Sequence, residues 1–247
     1  MAKKFTEGRC VHCLGYFKNL TSDHVFPDSW YPESTPPGIE KWQAPSCTHC
    51  NALNGRNEED LLVRLGLCVE RDHNASLGIE RKVMRALDSS QGKNPKDANL
   101  RSLKRDKILR ELRPANEIAI QTFMPNFGPS KTSGSLSIPI PIEKLRTLGR
   151  KLVRGITYVL NDQLLIEADH AIDIHVVNEV GAAVARKLIY QYGGRYDRGP
   201  GITIGQARPS EDLQSGIFGI EIWGRVWLHA TVVPIWENPF PAGKEKQ

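Results

Sequence analysis

The chain has 247 residues, 40% of them apolar, and a formal net charge of +5. That length fits one large domain or two smaller ones, and it is enough to bury a core without disulfides. No apolar run approaches the roughly 20 residues of a membrane span, and Met-Ala-Lys-Lys-Phe-Thr-Glu has no apolar segment behind its charges, so neither an anchor nor a signal peptide is expected and the expected compartment is the cytoplasm.

Charge is spread unevenly. Residues 77–114 carry 11 Lys/Arg against 5 Asp/Glu, whereas residues 1–76 carry 8 against 10 and residues 115–247 carry 14 against 13. An acidic module beside a basic stripe suits a polyanionic substrate.

The first element is Arg9-Cys10-Val11-His12-Cys13, a Cys-x-x-Cys knuckle matched by Cys47-Thr48-His49-Cys50. In a reducing compartment paired cysteines are more often metal ligands than disulfides, and two such pairs can close a tetrahedral four-thiolate zinc site. His12 and His49 lie between the cysteines and are expected to face solvent or contact phosphate. Cys68, the fifth cysteine, is expected in a buried helix or turn.

Between the pairs, Gly15 begins a hairpin that ends at Asp23-His24-Val25. Pro27 to Gly38 holds four prolines, which excludes a helix interior or central strand and predicts a surface loop. A second strand over Lys41 to Pro45 leads into the second cysteine pair. From Asn51 the spacing of Leu61, Leu62 and Leu65 predicts a helix to about Gly66. The order is strand, loop, strand, helix.

Asp23-His24-Val25-Phe26-Pro27, the two Cys-x-x-Cys pairs and Asn51 directly after Cys50 together resemble the HNH endonucleases of the ββα-metal class with a four-cysteine structural zinc. The resemblance covers roughly residues 8–70. It implies that His24 is the general base and that Asp23 and Asn51 hold a catalytic Mg²⁺ or Mn²⁺, with Cys10, Cys13, Cys47 and Cys50 on zinc. It also implies DNA as substrate, RNA or nicking remaining open, and a bacterial or phage setting such as defence. The middle Asn of the family is replaced by Trp42, with Gln43 or loop backbone available for its hydrogen bonds.

The chemistry of the residues agrees with this. An imidazole titrating near 6.5 is matched to taking a proton from water at neutral pH. A hard cation on Asp and Asn oxygens would neutralise the scissile phosphate. Asn51 can alternatively cap the helix, and Asn54 is a second candidate ligand. A non-catalytic zinc module that docks nucleic acid or a protein partner is the rival reading.

Residues 77–130 read as a basic helical arm and linker, with helices over Ile79–Leu87 and about Leu100–Leu112. The second sets Leu100, Leu103, Ile108, Leu109 and Leu112 against a phosphate-contact surface of Arg101, Lys104, Arg105 and Lys107. Pro114 and the stretch from Met124 to Ser135 read as a connection. Residues 131–247 then predict a helix over Ile142–Leu160, a strand over Ile172–Val177, a helix from Asn178 to Tyr190, and three strands at Gly201–Arg208, Ile217–Trp223 and Val226–Val233 with a turn at Gly224-Arg225. Helices on one face of a mainly antiparallel sheet make this an α+β region for recognition or self-association. The fold class expected overall is therefore α+β, built as a zinc-stapled ββα-metal module over 1–76, the arm, and this second region. His170, His175 and His229 are expected to be structural.

Overall fold

The computed structural model describes residues 5–114, 136–177 and 179–237. Chain order begins with the short pair β1 (Gly8–Arg9) and β2 (Tyr16–Phe17), then β3 (Thr21–His24), β4 (Gln43–Ser46) and α1 (Thr48–Gly66). β3 and β4 pair antiparallel, with Asp23 opposite Ala44 and His24 opposite Gln43. α2 (Ile79–Leu87) and α3 (Pro95–Glu111) follow, then the short antiparallel pair β5 (Arg113–Pro114) and β6 (Leu136–Ser137). α4 (Ile142–Leu160), β7 (His170–Val177), α5 (Glu179–Tyr192), β8 (Gly193–Asp197), β9 (Ile202–Ala207), β10 (Gly216–Ile222) and β11 (Val226–Pro234) come next among the described residues. The architecture is α+β. Its main sheet has five strands in the order β7-β11-β10-β9-β8, all neighbours antiparallel. No helix among the described residues is long and apolar enough to cross a membrane.

Alternation along the strands gives this sheet two different faces. One carries Ile202, Ile204, Phe218, Ile220, Leu228, Ala230 and Ile174, all buried. α4 lies against it. A Cβ on Gly149 would stand 2.7 Å from Ile174, and one on Gly155 would stand 2.8 Å from Val25 at the end of β3. α4 is thus clamped between the sheet and the cysteine-bearing module, and its two glycines are what permit the approach on both sides. α5 covers the opposite face, with Ile189 seated over Gly205 and Gly219. The expectation of helices on one face is corrected: Gly205, Gly219 and the polar residues beside them leave room for a second layer.

A single apolar cluster runs from Val11, Val25, Phe26 and Trp30 through Leu61 and Leu65 of α1 and Leu148 and Leu152 of α4 to Ile220 and Val232. The proline-rich segment is not simply a surface loop. Phe26, Trp30 and Tyr31 are 2%, 0% and 4% exposed, and a one-turn 3-10 helix at Asp28–Trp30 delivers them inward. Trp30 packs on Trp223 with ring centroids 5.1 Å apart, and the Trp223 indole donates to the Trp30 carbonyl at 2.8 Å. Trp223 opens the β10–β11 hairpin with φ 54, followed by Gly224 at φ 67, and the Arg225 N–H returns to the Ile222 carbonyl at 3.1 Å. Two successive positive φ values are those of a type I′ turn, whose twist matches the flanking strands.

α3 also departs from expectation. Ile108 is buried, while Leu100, Leu103 and Leu109 are more than half exposed. The helix is held to α1 by charge, through Arg64, which pairs with Asp60 at 3.0 Å and with Glu111 at 2.6 Å. The stretch from Met124 to Ser135 and the cap at Asn178 lie outside the described residues.

Candidate metal centre and adjoining charge network

The four cysteines converge as their spacing predicts. The Sγ atoms of Cys10, Cys13, Cys47 and Cys50 lie within 4.8 Å of one another, a group that can hold a metal ion such as zinc. Each pair forms a tight turn whose backbone serves the sulfur: the His12 N–H reaches Cys10 Sγ and the Cys50 N–H reaches Cys47 Sγ, both at 3.4 Å. Burial pushes the Cys10 thiol up, but backbone donors from Cys13, Cys47 and His12 outweigh it and bring it down to about 7. Such a thiol is readily deprotonated for a metal. Cys47 is also the N-cap of α1, which places Asn51 within the first turn of the helix and removes the capping role considered for it.

Beside the cysteines, β3 turns its last two side chains to opposite faces, as period-two geometry requires. Asp23 points inward and is 6% exposed. Its Oδ2 receives His12 Nε2 at 2.9 Å and Asn54 Nδ2 at 3.4 Å, and its Oδ1 faces Lys151 Nζ at 3.1 Å. Burial raises its carboxyl, and His12 and Lys151 more than reverse this, leaving it below its usual range. Glu58, one helical turn beyond Asn54, meets Lys151 at 2.5 Å. There burial wins over the ammonium and the carboxyl stands above its usual range. Lys151 also donates to the His24 carbonyl. Lys151 and Arg154 both come from α4, the latter donating to the His12 carbonyl at 2.7 Å.

His24 points the other way, into a cleft of about 710 Å³ that Lys41, Gln43, Tyr158 and Gln163 also line. Its Nε2 lies 3.0 Å from the Gln43 amide nitrogen. Gln43 therefore holds the ring from the strand opposite, next to Trp42. Asp28 sits near this mouth, paired with Lys41 at 2.6 Å and held below the usual carboxylate range by that contact and by His24.

The structure thus brings Asp23, His12, Asn54, Glu58 and Lys151 together, but it does not bring Asn51 to Asp23. The Asn51 amide donates to Thr21 Oγ1 at 2.9 Å. With Asn51 engaged there and both Asp23 oxygens occupied, these residues do not fit an open Mg²⁺ or Mn²⁺ site. His49 is exposed, as expected, whereas His12 turns inward onto Asp23. Glu58 shares a helical face with Asn54, a spacing visible in the sequence. Lys151 has no local signal, since 93 residues separate it from Glu58.

The basic arm is largely compensated. Lys104 pairs with Glu59 and Arg101 with Asp97. Arg105 faces Asp106 at 3.5 Å and Lys107 faces Asp60 at 3.7 Å, these last two being about half exposed.

In the second region His175 and His229 face each other across β7 and β11, while His170 is clamped between Asp169 at 2.7 Å and Asp212 at 2.9 Å, with Ser215 donating to Asp212. Burial disfavours the His170 imidazolium, but Asp212 and Asp169 outweigh it and raise its pKa from 6.5. Burial raises Asp212, yet Ser215, His170 and the Gln214 N–H bring it down to about 2. The His170 contribution to stability is complete below pH 6.5 and is lost as pH rises through its folded pKa. That of Asp212 is present above 3.8 and is lost as pH falls through about 2. Urea midpoints measured from about pH 5 to about pH 9 should fall above pH 6.5, and Asp212→Asn should flatten the fall. Equal slopes in the two proteins would refute the assignment.

Compared with known proteins, the chain matches no family model, no curated protein and no solved structure. The HNH resemblance therefore rests on the residues alone, and the four-cysteine group is the part of it that the fold bears out.

Proposed function

We propose that this chain is a zinc-stapled nuclease of the HNH type that hydrolyses phosphodiester bonds of DNA with His24 as general base. The observation that carries the reading is the placement of His24, the one imidazole among the described residues that lines the polar cleft, with Lys41 next to it. Zinc on the cysteines fixes β3 and β4 against α1, and so fixes His24 and Gln43. An amide presents either its NH₂ or its oxygen to a ring nitrogen. When the Gln43 oxygen accepts the Nε2 proton, the Nδ1 lone pair is left to take a proton from water. On this reading the half-exposed Arg105 and Lys107 of α3 would serve as phosphate contacts.

The test is nicking of supercoiled plasmid by wild type and His24→Ala, with and without added Mg²⁺ or Mn²⁺. Loss of a general base should slow cleavage by about 10²- to 10⁴-fold, with the zinc content and unfolding curve unchanged. Equal rates would remove His24 from the mechanism. The saturation of Asp23 by His12, Asn54 and Lys151 favours a second reading, a non-catalytic zinc module that docks nucleic acid or a protein partner. Wild type that binds DNA and never nicks it under any condition would establish that reading over the first.

A further inference from the structure

We propose that Lys151 is the resident cation of the Asp23–Glu58 site, taking the Asp23 oxygen that the resemblance would give to a divalent ion, so that the network closes only when α4 docks and needs no metal there. This rests on the site assigned above and concerns how that site is charged. An ammonium has three donors and no acceptor. Lys151 finds three acceptors: Asp23 Oδ1 at 3.1 Å, Glu58 Oε1 at 2.5 Å and the His24 carbonyl. The count matches, and the Lys151 side chain is 3% exposed.

A divalent ion fits the same place badly. Mg²⁺ asks for about six oxygens in octahedral array and usually keeps several waters. Among the described residues the cation meets the two carboxylates and one carbonyl, and Asp23 Oδ2 is already taken by His12 and Asn54. Two carboxylates this enclosed require a positive partner, because an isolated buried charge is costly. Lys151 supplies it from a helix that also sends Arg154 to the His12 carbonyl within the cysteine knuckle. The ββα-like module is therefore completed by a residue of the second region.

Mn²⁺ binding to the zinc-loaded, full-length protein, followed by the loss of the free-ion EPR signal, tests this without any cleavage assay. Wild type should take up no Mn²⁺ at this site. Lys151→Ala, which empties the position and admits water, should gain one bound Mn²⁺ per chain, and Glu58→Gln in that background should abolish the gain. Mn²⁺ bound by wild type and lost in Asp23→Asn would overturn the proposal, as would a folded Lys151→Ala that binds none. If Lys151→Ala does not fold, the wild-type titration decides alone: uptake sensitive to Asp23→Asn refutes, and none supports. A protein that proves not to be a nuclease leaves this readout intact, so the two failures are distinguishable.

Discussion

Cys47→Ser is expected to strip the metal and unfold the N-terminal module, the largest loss any single substitution here should cause. Structural zinc contributes roughly 10–16 kcal/mol in small zinc peptides, against a total stability of about 5–15 kcal/mol for an ordinary domain. Around the sulfurs themselves the apolar cluster is small, Cys10, Leu20 and Cys47, although Val11, Val25, Phe26 and Trp30 of the same module belong to the main core. Cys47 has two roles, since its sulfur also accepts the Cys50 N–H as the cap of α1. Elemental analysis should show zinc lost, and far-UV circular dichroism should show helix lost with it, because α1 borders the shared core. A variant that keeps its metal and its urea midpoint would dispose of the idea that zinc holds this module.

Trp30→Ala should cost about 3–5 kcal/mol, the usual toll for truncating a buried aromatic. Trp30 is fully buried, stacks on Trp223 and meets the edge of Phe26 with centroids 6.0 Å apart. For a chain of this size each kcal/mol moves the melting temperature by about 2–4 °C, which gives a drop of about 6–20 °C. The shape of the transition matters as much as its position. Because one apolar cluster spans Val11 to Val232, calorimetry should show the whole protein melting together at the lower temperature. A second transition left in its original place would mean that the module and the sheet unfold independently.

Much of the fold was legible because its periodicities are strong. The helices over Ile79–Leu87 and Ile142–Leu160 fall where the apolar spacing puts them, and β9, β10 and β11 start and stop within a residue or two of expectation. β8 was not legible: Gly193-Gly194-Arg195-Tyr196-Asp197 lacks apolar alternation and becomes a strand only because β9 offers it an edge. The burial of Phe26, Trp30 and Tyr31 was masked by the prolines around them. Their inward path depends on Trp223, whose contact no local pattern encodes.

In the site, the cysteines were legible because metal ligation ties spacing to geometry. The divergence of Asp23 from His24 is implicit in any strand, yet a motif read as a unit conceals it. Gln43, one of two candidates in the sequence, the other being loop backbone, lies opposite His24 in the β3–β4 register. Lys151 was not legible, because a buried lysine on an amphipathic helix looks in sequence like any other solvent-facing charge until the carboxylates it meets are known.

The hydrogen bond between Trp223 and Trp30 spans 193 residues, and this sets a schedule for a chain made from its N-terminus. At about 5–20 residues per second, roughly 10–40 s pass between the two tryptophans on the ribosome. The cysteine cluster needs only residues 10–50 and can close long before that. Early metal capture would then tether Phe26, Trp30 and Tyr31 within a short loop, and the prolines of that loop disfavour strand pairing with neighbouring chains. Zinc and proline together would guard an aromatic surface whose permanent cover arrives last.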